Sequence, residues 1–316
     1  MVFNKLDSLG IIFTFFCSLF SVAQEFRFDE KSDGILFLEN DSPRYFYRTV
    51  AEDTMNPYSR TNYIHPLYGL DGEILTEDFT RDHPHHHGIF WAWHQFYVRG
   101  KRIADPWLNE GIQWKVLNTQ TEVLKKAAIL SSEVLWVYKA SSEAVIREDL
   151  QLSFQRIQEN VFSLNFRINL TALVEGVAIG GSEDAKGYGG FSARLKLPEN
   201  VKFNGAEGEV KPKNLPVQAG SWINISGYFD PALFKTSGIV IMGEPESLPS
   251  FQGWILRRTD SMQNMAFPGK TPIKIEKGET LTFRNQILVH RDLNTKEIES
   301  IYRKFRNNLG SGRTGN

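Results

Sequence analysis

From Phe26 to Arg48, brief apolar runs alternate with turn-forming residues: Ile35-Leu36-Phe37-Leu38, then Asn40-Asp41-Ser42-Pro43, then Tyr45-Phe46-Tyr47. This is the pattern of a β-hairpin, because Asn, Asp, Ser and Pro accept the backbone angles of a tight turn while the flanking runs supply a packed face. The same pattern recurs along the chain and predicts strands over 112–117, 134–138, 144–154, 161–173, 221–229, 238–242, 253–257 and 281–290. In the fourth of these, Phe162, Leu164, Phe166, Ile168 and Leu170 occupy every second position, so one face packs and the other meets water. Such alternation belongs to antiparallel sheets. Helical spacing is clear only near the end, where Asn294 and Glu297 form a capping box and Ile298, Ile301, Tyr302 and Phe305 share one face. That helix should pack on a sheet as a lid or brace. The expectation is an all-β, antiparallel β-sandwich of jelly-roll or supersandwich type with one C-terminal helix. No repeat or linker divides it, so residues 24–316 read as one domain.

The first residues read differently. Lys5 precedes an apolar stretch over 11–20, and Ser21-Val22-Ala23 supplies small residues for cleavage, which predicts a signal peptide over 1–23 and export to the periplasm or beyond. The stretch is shorter than the roughly 20 residues a membrane-spanning helix needs, and no later segment is long enough, so no stable membrane span is expected. The only cysteine, Cys17, lies inside the leader; cleavage would remove disulfides, thiol nucleophiles and cysteine-held metals from consideration. A formal net charge of −1 with no basic block gives no footprint for nucleic acid.

The chemistry concentrates in histidine. Of seven histidines, His65, His83, His85, His86, His87 and His94 fall in one neighbourhood, around Arg81-Asp82-His83-Pro84-His85-His86-His87-Gly88. Imidazole titrates near neutral pH and is the commonest metal ligand, so the cluster suits proton transfer, metal binding or both. An internal position and the interleaved Pro84 argue against a purification tag, while imidazoles that merely satisfy buried carbonyls remain an alternative to an active site. Pro84 favours an extended His83, and continued extension would put His85 and His87 on one face with His86 on the other. Beyond Gly88, Ile89-Phe90-Trp91-Ala92-Trp93 is apolar on both faces and predicts a buried strand with the histidines at its mouth.

Two later stretches could join them. Gly180 to Gly190 contains five glycines, with Glu183, Lys186 and Tyr188 among them, and no phosphate-loop motif. It reads either as a solvated turn or as backbone able to approach a ligand closely. Arg257, Arg258, Gln263 and Asn264 bring forked cations and amides suited to carboxylates and hydroxyls, or are ordinary surface residues.

His65-Pro66-Leu67-Tyr68-Gly69, Asp82-His83-Pro84-His85-His86, Lys186-Gly187-Tyr188-Gly189-Gly190-Phe191 and the strand from Phe283 to His290 together resemble the DUF6807 family, often labelled "methane oxygenase PmoA". The resemblance spans nearly the whole chain after the leader, and Asp-His-Pro-His-His-x-Gly is its most specific part. A membrane methane oxygenase subunit needs several membrane-spanning helices, which this sequence does not offer. Where members usually carry Arg after the histidine pair, this chain has His87. The resemblance implies a secreted bacterial β-sandwich protein of carbohydrate-degradation systems.

The leading expectation is a lyase or dehydratase that eliminates across a uronic acid of an oligosaccharide. Such a reaction needs a cation to neutralise the carboxylate, a base for the proton on the adjacent carbon, and an acid for the departing oxygen. His85 or His87 is the expected base; Arg81, Lys186 or a metal is the neutraliser; Tyr188 or another histidine such as His86 is the acid. His65, His94, Glu183, Arg257 and Asn264 are expected to contact substrate, and Trp91 and Trp93 to be core. The alternatives are an enzyme holding one divalent ion through Asp82, His83, His85 and His87; a mutarotase-like epimerase using Glu183, Asp184 or Asp82; a non-catalytic carbohydrate binder; and a two-carboxylate glycoside hydrolase. Oligomeric state stays open.

Overall fold

The computed structural model describes residues 25–52, 55–248, 250–259 and 262–307, so the predicted leader lies outside the described residues. The strands form sheets of eight, nine and four strands among the described residues, with every pairing antiparallel. The nine-stranded sheet is built on long strands at its centre, Glu143–Gln158, Val161–Ala172 and Thr280–His290. Its alternating side chains bury Leu150, Leu152, Phe154, Leu164, Phe166 and Ile168 on one face and leave Gln151, Gln155 and Arg167 exposed on the other. The buried face meets the eight-stranded sheet, which contributes Phe37, Tyr45, Ile64, Trp91 and Phe191 to the same apolar cluster. The all-β sandwich is therefore as the alternation predicts.

Observed strands are often longer than predicted. Ala128–Tyr138 and Ile112–Val123 pair along their length, so polar residues at their outer ends join a ladder that hydrophobicity alone does not mark. Met262–Ala266 is a strand buried at every position, although Gln263 and Asn264 suggest a ligand-binding loop. The capping box is present: Asn294 Oδ1 accepts from the amides of Lys296 and Glu297, and Glu297 Oε2 accepts from the Asn294 amide. The helix Thr295–Asn307 seats Ile298, Ile301, Tyr302 and Phe305 on Trp222, Val240 and Leu288 of the nine-stranded sheet's outer face, so it is a brace. No helix of the described residues is long and apolar enough to cross a membrane.

The topology decides where the chemistry lies. Strand Ile89–Trp93 belongs to the eight-stranded sheet and Gln95–Val98 to the four-stranded one, so the chain changes sheet at His94. Val177–Gly180 and Gly189–Arg194 make the reverse crossing through 181–188. Gly180 pairs with Gln95 and Gly189 with Trp93, so the two crossings run side by side. Met262–Ala266 pairs next to Gly189–Arg194, which brings the turn after Ile255 to the same corner.

Candidate functional site

At that corner a pocket of about 450 Å³ is lined by His83, His85, His86, His94, Trp107, Lys186, Tyr188, Asn214, Arg257, Thr259 and Met262. Its size lies within the range of small-ligand sites. The extended path expected through the histidines is corrected by a β-turn: the His86 amide donates to the His83 carbonyl at 3.0 Å, with Pro84 and His85 at the corner. Proline pre-sets the backbone for the first corner position, so the turn uses the same fixed angle that the extended reading relied on. His83 and His86 consequently stack, with ring centroids 4.6 Å apart and planes 2° from parallel. His85 stands edge-on to both, at 5.7 and 4.5 Å.

His87 goes the other way. It is fully buried, its Nδ1 lies 2.6 Å from Asp78 Oδ1, and Asn109 donates to its Nε2 at 3.2 Å. Asp78 also accepts from the Tyr63 hydroxyl, so His87 belongs to a closed buried network and does not reach the pocket. Gly88 explains the direction: a Cβ there would sit 2.0 Å from the Ile64 carbonyl oxygen, and only glycine lets the chain approach that closely.

Of the remaining imidazoles, His83, His86 and His94 each have a partner that fixes the ring's proton. His94 Nδ1 lies 3.0 Å from Asp105 Oδ2; since a carboxylate only accepts, Nδ1 carries the hydrogen and Nε2 keeps a free lone pair. The other oxygen of Asp105 accepts from the Leu108 amide at 3.1 Å and caps the short turn Pro106–Leu108. One carboxylate thus anchors both His94 and Trp107, whose ring lies against His94 at 5.2 Å and 24°. Asp105, Trp107 and Asn214 are site residues that sequence reasoning missed, and the only local signal was the Asp-Pro corner.

His83 Nδ1 is 2.8 Å from Asp82 Oδ2, but Asp82 also receives two hydrogen bonds from Arg194, at 3.0 and 2.9 Å. Burial works to raise this carboxyl, yet hydrogen bonds from His83 and Arg194 hold it below the usual carboxylate range. Arg194 Nη1 faces His86 Nδ1 at 3.4 Å; a guanidinium only donates, so the neutral ring carries its hydrogen on Nε2. Burial, then the neighbouring imidazoles, push His86 down to about 2 and His85 down to about 4. Both are neutral at pH 7.

The glycine-rich crossing does approach the pocket. Asp184 accepts from the Ser182 hydroxyl and the Lys186 amide, shaping a turn that presents Lys186 and Tyr188. A Cβ on Gly181 would lie 2.2 Å from the Gly187 carbonyl, which fixes the loop's base. Tyr188 lies against Trp107 with ring centroids 5.5 Å apart and planes tilted by 49°, and the Arg257 guanidinium lies 5.5 Å from the Tyr188 ring centre. Burial raises the Tyr188 hydroxyl above its ordinary pKa, so it is a protonated phenol.

Several expected contacts do not line this pocket. Arg81 is exposed, and His65 is held at Thr76 Oγ1 by Nδ1 at 2.9 Å. Glu183 pairs with Arg102 at 2.8 Å, and Asn264 is fully buried, donating to the Gly189 and Phe191 carbonyls and the Ser192 hydroxyl. The set Asp82, His83, His85 and His87 is not brought together: Asp82 is committed to Arg194 and His87 to Asp78. Among the described residues, no group of three or more His, Cys, Asp or Glu is placed to hold a metal ion. Trp91 and Trp93 are core, at 1% and 0% exposure.

Among solved structures the chain is similar to the crystal structure of heparan sulfate lyase HepC from Pedobacter heparinus, with 8% identity and a TM-score of 0.37 over 83% of this chain and 34% of that one. The mutant HepC structure gives 9% identity and a TM-score of 0.39 over 86% and 36%. The chain therefore spans about a third of the length of those structures. No curated protein matches it. The family model of DUF6807, a family of unknown function, matches residues 34–303, and the chain belongs to that family.

Proposed function

We propose that this protein eliminates across a uronic acid of an oligosaccharide in the histidine pocket. The observation that carries this reading is the chemical make-up of the lining: among the described residues, neutral imidazoles, a protonated phenol and the cations Lys186 and Arg257 face one cavity, and none of the lining side chains is a carboxylate. Lys186 and Arg257 suit a substrate carboxylate, and pairing it makes the proton on the adjacent carbon more acidic. His94 is the base, because Asp105 steadies its Nδ1 hydrogen and the imidazolium that forms at Nε2. As that proton leaves, its electron pair forms the carbon–carbon double bond, the carbon–oxygen bond on the next carbon breaks, and Tyr188 gives its proton to the departing oxygen. His86 offers Nε2–H to a substrate oxygen. Hydrolysis or epimerisation through carboxylates is less well supported, since Glu183 pairs with Arg102, Asp184 pairs with Lys186 at 3.5 Å and shapes its turn, and Asp82 lies behind His83.

The test is incubation with uronate-bearing oligosaccharides of several linkages, following the ultraviolet absorbance of an unsaturated uronate. His94→Ala and Lys186→Met should each abolish the increase. No absorbance from any uronate substrate, with turnover of neutral sugars instead, refutes the reaction.

A further inference from the structure

A second concavity lies on the outer face of the nine-stranded sheet and shares no residue with the histidine pocket. It encloses about 1050 Å³ and is walled on one side by Ile301, Lys304 and Phe305 of the helix. Through Gln151 and Arg167 it continues into a further hollow of about 350 Å³, so the two make one trough across the sheet. A trough of this length suits a polymer more than a single ion.

Its floor is unusual in charge. Arg167 and Arg284 are direct cross-strand partners, and like charges in that position oppose pairing. Neither donates a hydrogen bond or forms an ion pair among the described residues. Glu244, at the end of the trough, is within electrostatic reach of Arg284 without bonding to it. Lys126 and Lys304 add positive charge at the rim of the larger hollow, and Glu133 and Asp149 line the smaller one, so the anion-binding part is the larger hollow around the two arginines. Beside the arginines, Gln286 is 5% exposed; its Nε2 donates to Asn165 Oδ1 at 2.5 Å, and its Oε1 is buried with no partner among the described residues. A buried acceptor left open calls for a donor, and the described residues do not supply one. The two needs are distinct: an anion to bridge the guanidiniums, and a hydroxyl to reach Gln286.

We propose that this trough is a binding surface for an acidic polysaccharide, whose carboxylate or sulfate bridges Arg167 and Arg284 while a neighbouring hydroxyl donates to Gln286 Oε1. Phe166 and Phe305, its aromatic lining, are buried, so there is no exposed ring on which nucleic-acid bases could stack. The surface does not depend on the reaction assigned to the histidines, and it would hold a long chain while the pocket acts on a part of it.

Binding of the full chain is measured by affinity electrophoresis and calorimetry against polygalacturonate, chondroitin sulfate, dextran and poly-glutamate, the first two separating uronate from sulfate as the anion. The expected result is binding to at least one acidic glycan and none to dextran or poly-glutamate. R167Q/R284Q should weaken glycan binding by about tenfold or more, since two charge-assisted contacts are lost. Gln286→Leu should weaken it without changing net charge, and His94→Ala should leave it unaltered while abolishing turnover. The arginine variant relieves a like-charge pair, so its folding is not at risk; melting curves check Gln286→Leu. Unchanged affinity in R167Q/R284Q, loss of binding in His94→Ala, or equal affinity for poly-glutamate each overturns the proposal. Loss of turnover with binding intact concerns the histidine pocket alone.

Discussion

Mild acid should destabilise this protein before its carboxylates titrate. Burial holds His86 down to about 2 and His290 down to about 4, against 6.5 for an exposed imidazole, and both rings are nearly inaccessible, at 5% and 2% exposure. His290 has no spare site for a proton: Nδ1 accepts from the Leu293 amide at 3.1 Å, and Nε2 faces Asn224 Oδ1 at 3.0 Å. A folded pKa below the unfolded one means that the unfolded chain takes up the proton first. The stability these rings contribute is whole above pH about 6.5 and falls with pH, until the folded rings themselves protonate near about 4 for His290 and about 2 for His86. Between pH 7 and pH 5 linkage gives about 1.9 kcal/mol for each ring, or about 4 kcal/mol together. That is a large share of a typical stability of roughly 5–15 kcal/mol. His65, His85 and His87 are also lowered and act in the same direction. The lowered carboxyls Glu39, Asp78 and Asp82 lose stability only at pH below about 4, whereas burial raises Glu148 and Glu244, whose protonation on acidification opposes the loss, so the imidazole share is read from the histidine variants. The assay is urea unfolding at half-unit steps from pH 7 to pH 5. His86→Gln and His290→Gln should each reduce the slope of stability against pH by about 1.4 kcal/mol per unit below pH 6, whatever they do to stability at pH 7. A double variant that keeps the wild-type slope refutes the burial-driven shift.

Two further outcomes follow from single contacts. Asp105→Asn keeps the turn cap at Leu108 but removes the charge behind His94, so turnover on the uronate substrate should fall about 10–100-fold with little change in KM; an unaltered rate removes His94 from the reaction. Glu148, fully buried, accepts from Asn62 and Trp91 on Oε1 and from Trp136 on Oε2, so an amide in its place must turn its NH2 towards at least one donor. Glu148→Gln should cost about 2–3 kcal/mol in urea unfolding, and equal stability would mean that the native carboxyl is already protonated.

Much of the architecture follows from the sequence because period-two alternation and turn residues are local properties. Phe162 to Leu170 announce a strand with one packed face, and Asn294 with Glu297 announces the start of the helix, because backbone geometry alone brings those side chains together. The concentration of imidazoles, and their placement just before a doubly buried strand, is equally a property of the chain. Which imidazoles converge is not: Pro84 is compatible with both extension and a turn, and the choice is made by the Asp78–His87 bridge and by the close approach of Gly88 to Ile64. The same limit applies to amides. Asn264 has the chemistry of a ligand contact, but sheet pairing buries it against the Gly189 and Phe191 carbonyls. The pocket itself exists because two chain crossings between sheets lie side by side, bringing Lys186 and Tyr188 to His94 across a long stretch of sequence. Local patterning determined the sandwich, the helix and the presence of a histidine cluster; long-range strand pairing decided which side chains face one cavity, since that depends on register between segments that carry no mark of their partners.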